Sequence, residues 1–173
     1  MQIPFVTVDV FTDRKFGGNP LAVVPDGRAL TSAQMQAIAG EFNLAETTFV
    51  LPPRDPGHTA EVRIFTPRAE LPFAGHPNIG TAYVLAVEAN RASHALAEPL
   101  VFEEKAGLVR LDLIKDGHSA AGARLAPPQL LARGEMSRWR SRPPRVRLSR
   151  ATSKPPIIGR ASHPAAFRSC LPN

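Results

Sequence analysis

The residues best placed to do chemistry lie in the stretch Leu71-Pro72-Phe73-Ala74-Gly75-His76-Pro77-Asn78-Ile79-Gly80. Gly75 allows the backbone to come close to a bound molecule. His76 can donate, accept or carry a proton near neutrality. Pro77 suits the first helical position, where no N–H is required. An almost wholly apolar segment from Asn78 to about Ala89 follows and reads as a helix. Its free N-terminal N–H groups and the positive end of its dipole would then meet at His76. That arrangement fits an anion such as a carboxylate, with an ionisable side chain beside it. The plainer alternative is that Gly-His-Pro only turns the chain and caps the helix.

The elements that must hold this stretch can be read in order. Phe5 to Phe11 is β-branched and aromatic and reads as a strand. The loop Thr12 to Pro20 leads to a second strand, Leu21 to Val24. Thr31 with Gln34 forms a capping box, and Leu30 with Met35 a hydrophobic staple. Met35, Ile38, Ala39 and Phe42 give one buried helical stripe ending near Asn43. Thr47 to Leu51 and Thr59 to Phe65 read as strands, the second half-buried by its alternation. Leu100 to Glu104 and Leu108 to Ile114 read as a hairpin, and Ala120 to Leu125 as a further strand. The helix after His76 is apolar all round (Ile79, Ala82, Tyr83, Val84, Leu85, Ala86, Val87), so it must be buried all round. A sheet wrapped around a helix is the economical solution, which makes the fold α+β with a mostly antiparallel, curled sheet.

The chain of 173 residues suits one domain with room for a core. No run is long and apolar enough to span a membrane, and Met1 to Phe5 has no secretory pattern, so a cytoplasmic protein is expected. A single cysteine, Cys170, excludes an internal disulfide and a cysteine metal cluster. The net charge of +6 hides two compositions. Residues 1–130 carry a net −3, whereas residues 131–173 carry 10 Lys and Arg against one acid, Glu135. The basic balance therefore belongs to the tail and argues little for a nucleic-acid partner of the folded part. The tail, about residues 129–173, shows neither helical nor strand periodicity. It reads as disordered, as a selected basic arm, or as GC-rich DNA translated out of frame.

Taken together, several motifs resemble the phenazine-biosynthesis (PhzF-type) isomerase family. They are Val8-Asp9-Val10-Phe11-Thr12, Phe16-Gly17-Gly18-Asn19-Pro20, Glu41-Phe42-Asn43-Leu44-Ala45-Glu46-Thr47-Thr48-Phe49, Arg63-Ile64-Phe65-Thr66-Pro67 and Leu71 to Pro77. They stand in family order over about residues 3–125. The resemblance implies a diaminopimelate-epimerase-like barrel around a central helix, with the site in a cleft between two such domains. It implies that Glu46 is the general acid/base, and that Gly75 and His76 contact a small-molecule substrate. Asn78 and the N–H groups from Asn78 to Gly80 are expected to help hold a substrate carboxylate. The implied reaction is a proton shift that uses no metal and no organic cofactor. A carboxyl with apolar neighbours such as Leu44, Ala45 and Phe49 can take and return a proton near neutrality. Asp9 and Asn19 are expected to be structural, as a turn side chain and a Gly-Asn-Pro bend. Related epimerases use two thiols; here Ala74 stands at the first thiol position.

The resemblance ends near residue 125, so the expected organisation is one PhzF-like N-terminal domain, residues 1–128, and the basic tail, 129–173, without the family's C-terminal domain. A truncated isomerase with half of its cleft is the first functional expectation. A non-catalytic binding module with a nucleic-acid-binding tail is the alternative. The resemblance also implies a homodimer as a partner arrangement, since dimerisation is common in the family.

Overall fold

In the computed structural model, residues 2–117 and 119–128 are described, with the backbone of Gly159 and Arg160. The expectations for the tail and for Cys170 otherwise fall outside the described residues. The chain order is β1 (Val6–Val10), β2 (Asn19–Val24), α1 (Ser32–Phe42), β3 (Glu46–Leu51), β4 (Ala60–Phe65) and β5 (Glu70–Leu71). It continues with α2 (Gly75–Arg91), β6 (Leu100–Glu104), β7 (Gly107–Asp116), β8 (Ser119–Ala126) and β9 (Gly159–Arg160).

One mixed sheet runs β1-β2-β3-β4-β6-β7-β8-β9, with β5 on β4. Its pairs are antiparallel except β2 with β3 and β4 with β6. Helix α2 touches β1, β2 and β3 on one side and β7 and β8 on the other, so the sheet curls around it. The fold is α+β, as the engulfed apolar helix requires.

Strand alternation sorts the side chains into two cores. Val8, Val10, Leu21, Val23, Val62 and Ile64 point inward and pack with Ile79, Ala82, Tyr83 and Val84 of α2. Val24, Phe49 and Phe65 point outward, where Leu30, Met35 and Ala39 cover them. Phe49 and Phe65 meet edge to face at 5.4 Å. The α1 capping box is formed: Gln34 N donates to Thr31 Oγ1, and Thr31 N donates to Gln34 Oε1. Asn43 ends α1 in the left-handed region (φ 50°), and Phe42 stacks against Phe5 at 4.6 Å.

Helix α2 corrects the sequence reading in one respect. It begins at Gly75, three residues before the expected Asn78, with Ala74 as N-cap. Pro77 is the third helical residue rather than the first. It fits there because the first-turn N–H groups have no acceptor within the helix. The free N–H groups are consequently those of Gly75 and His76. Those of Ile79 and Gly80 lie inside the helix, and residues Pro77 to Val84 are buried throughout.

Candidate active site

The site forms where the N-terminus of α2 meets the starts of β2 and β3. Leu21 on β2 pairs with Val8 on β1 and with Glu46 on β3. A Cβ on Gly80 would lie 2.5 Å from Leu21 Cδ2 and 2.9 Å from Val10 Cγ2, so the helix rests directly on these strands. One turn back from Gly80 is His76. Two residues back from Leu21 is Asn19, which pairs with Val10 and shares its inward face. A second fastening lies on β3. Thr48 Oγ1 and Thr81 Oγ1 are 2.8 Å apart, and both residues are fully buried. Glu46, two residues before Thr48, therefore shares its face and points at the start of α2.

Removing this fastening should be measurable. Thr81→Val keeps the shape but leaves the Thr48 hydroxyl with only the 3.5 Å contact to Ala22 O. It is expected to cost about 1–3 kcal/mol in urea unfolding, the usual penalty for a buried polar group deprived of its partner.

Glu46 Oε2 lies 3.2 Å from His76 Nε2, with the side chains 18% and 10% exposed. The two atoms touch but are not aligned as a hydrogen bond, and among the described residues neither has another hydrogen-bond partner. On the far side of the ring, Asn19 Nδ2 is 3.1 Å from His76 Nδ1. An amide nitrogen can only donate, so Nδ1 accepts and the neutral ring carries its proton on Nε2. That N–H lies on the Glu46 side of the ring without being aligned on Oε2. Burial raises the Glu46 carboxyl above its ordinary range and lowers the His76 imidazole below its own. Both shifts favour neutral forms. The result is a carboxyl and an imidazole N–H, largely screened from water, with unused hydrogen-bonding capacity aimed at one spot.

Gly75 borders the same spot. A Cβ there would meet nothing within 4 Å, so space lies open against the helix start. Glu46, Gly75 and His76 are brought together. Asn78 is not on their open face. It is wholly buried, and its Nδ2 donates to Ala74 O at 3.0 Å. Asp9 accepts from the Phe16 backbone N–H at 2.7 Å, the turn role expected of it. Asn19 does more than shape a bend, since its side chain sets the His76 tautomer. Among the described residues, no group of three or more His, Cys, Asp and Glu is arranged to hold a metal ion. No described helix is long and apolar enough to cross a membrane.

The sequence profile of the family described as "Phenazine biosynthesis-like protein" matches residues 8–134. This chain belongs to the phenazine biosynthesis-like protein family. Similar curated proteins include an uncharacterized isomerase of Mesorhizobium japonicum, 51% identical over 61% of this chain and 34% of its own length. Another is the trans-2,3-dihydro-3-hydroxyanthranilate isomerase of Pseudomonas chlororaphis, 43% identical over 72% of this chain and 42% of its own length. The chain thus spans well under half the length of these phenazine biosynthesis-like relatives. Among solved structures, the Bacillus anthracis PhzF-family phenazine biosynthesis protein superposes with a TM-score of 0.60 at 30% identity. That match covers 70% of this chain and 40% of the other. The curled sheet around α2 is the epimerase-like barrel that the motifs implied.

Proposed function

We propose that this chain carries the Glu46–His76 face of a PhzF-like isomerase, which moves a proton within a small, carboxylate-bearing substrate without a cofactor. The observation that carries the reading is the pair of buried, unpartnered atoms, Glu46 Oε2 and His76 Nε2, 3.2 Å apart. A relative named as a trans-2,3-dihydro-3-hydroxyanthranilate isomerase supports an unsaturated cyclic acid as the substrate type.

The steps balance without a further reagent. Ionised Glu46 takes a proton from a substrate C–H, and the electron pair moves into the adjacent unsaturated system. The resulting carboxylic acid exchanges its proton with solvent and delivers one at another carbon of that system, so bonds migrate and composition is unchanged. His76 Nε2–H donates to a substrate oxygen or nitrogen. The N–H groups of Gly75 and His76, at the positive end of α2, receive the carboxylate. A water-poor site keeps Glu46 basic enough to remove a carbon-bound proton.

Incubation of the chain with a dihydro-hydroxy cyclic acid in deuterated water tests this. Deuterium should enter a C–H position, seen as a one-mass-unit gain in the recovered acid. Recovery of undeuterated acid under conditions where it binds would remove the reading.

A further inference from the structure

Glu104 ends strand β6, and both of its carboxyl oxygens are buried without a hydrogen-bond partner among the described residues. Oδ1 of Asn78 is in the same state, on a side chain wholly removed from solvent. Asn78 is the polar side chain that Glu104 faces. An ionised carboxylate here would leave three acceptors crowded together with too few donors, a costly arrangement in a buried place. A single proton resolves it. The Asn78 amide nitrogen uses one hydrogen on Ala74 O and has a second to give.

We propose that Glu104 is protonated in the folded protein and forms a cyclic acid–amide pair with Asn78, through which the β6–β7 hairpin fixes the N-terminus of α2 and the His76 standing on it. In this pair the Glu104 O–H donates to Asn78 Oδ1, and the second Asn78 N–H donates to the other Glu104 oxygen. All three orphaned acceptors are then satisfied.

Two neighbouring contacts place the same hairpin against the same segment. Ala106 N donates to Pro72 O at 3.0 Å, and Lys105 Nζ meets Glu70 Oε2 at 2.6 Å. Asn78 in turn ties to Ala74, with His76 between them. Burial pushes the Glu104 carboxyl up to about 7, with Asn78 opposing by less. Among the described residues, no nearby charge is left over to hold it ionised. Lys105 is engaged by Glu70, which also binds Arg63. Glu103 accepts from the Arg54 and Asp55 backbone N–H groups and from His58. Arg54 is engaged by Glu61. On α2, His76 is turned to Asn19 and Glu46, and Glu88 and Arg91 stand at the far end of the helix.

The consequence for turnover rests on the isomerase reading, with Glu104 as a positioning residue behind His76. The pair itself is tested without turnover, so the two can fail separately. In the full chain labelled with carbon-13 at glutamate carboxyls, Glu104 should titrate with a midpoint about 7. The Gly75 and His76 backbone amide signals should move with the same midpoint. Glu104→Gln, which keeps a donor toward Asn78, should abolish that transition and hold both amides near their low-pH wild-type positions. Glu104→Ala should displace them at every pH. A raised folded pKa means stability that is complete below about 4.5 and lost as pH rises through about 7. The melting temperature of the wild type should therefore fall relative to Glu104→Gln across that window. A Glu104 midpoint in the usual carboxylate range would overturn the proposal. So would a Gly75–His76 transition at the Glu104 midpoint that persists in Glu104→Gln, apart from the steps of His76 and Glu46 themselves, or amides left in place by Glu104→Ala.

Discussion

Glu46→Gln is expected to slow deuterium exchange into the substrate by about 10²–10⁴-fold, the usual contribution of a positioned acid/base. The substitution keeps the size and the hydrogen-bonding outline of the side chain and removes only its ability to exchange a proton. Substrate binding through the Gly75 and His76 N–H groups should survive, so the loss should fall on kcat rather than on KM. In the wild type, exchange should rise with pH as Glu46 ionises, over a window placed above the ordinary carboxylate range because burial raises this group. The stability effect has the opposite sign. A carboxyl whose folded pKa is raised contributes stability below its unfolded value and loses it as pH rises through the folded value. At pH 8 the variant should therefore melt no lower than the wild type. An inactive variant of unimpaired stability would separate chemistry from folding, whereas retained exchange would move the acid/base role to another residue.

The fold was legible because local signals agreed with one another. Thr31 and Gln34 announced α1, alternation announced β4, and the lack of any polar face on residues 79–87 required a wrapping sheet. The sequence puts the start of α2 two to three residues late, at Pro77–Asn78, because Pro77 suits the first helical position. Proline tolerates the whole first turn, and no residue from Ala74 to His76 offers a side-chain cap that would mark the true boundary.

The site was half legible. Gly75 and His76 announced themselves by type and spacing, and Glu46 by its motif. Asn19 did not, because its role depends on register. Only when Val10 is known to pair with Asn19, and Val10 to face α2, does the amide point at the ring. Glu104 was invisible for a similar reason. In sequence it is one of two adjacent glutamates near a turn. In space Glu103 is held by donors from the Arg54–His58 turn, while Glu104 has none.

Asn19→Asp gives the sharpest expected change outside Glu46. At present the Asn19 amide donates to His76 Nδ1 and holds the ring neutral, with burial lowering its pKa below the usual range. An aspartate of the same shape has no proton to give. It can only accept, so it would draw a proton onto Nδ1 while Nε2 keeps its own. The ring then becomes an imidazolium, held by a carboxylate on either side, Asp at position 19 and Glu46. His76 should pass from below to above its ordinary titration range, read from ring carbon and nitrogen shifts. The new positive charge 3.2 Å from Glu46 Oε2 would favour the ionised carboxylate and lower its pKa. Glu46 becomes a weaker base, so exchange should fall by roughly tenfold or more while its rise with pH moves to lower pH. A residue 19 side chain held away from the ring would give neither shift, because only an aspartate in contact with Nδ1 can hold the second proton there. A His76 midpoint that stays below the usual range in this variant would show that Asn19 does not set the tautomer.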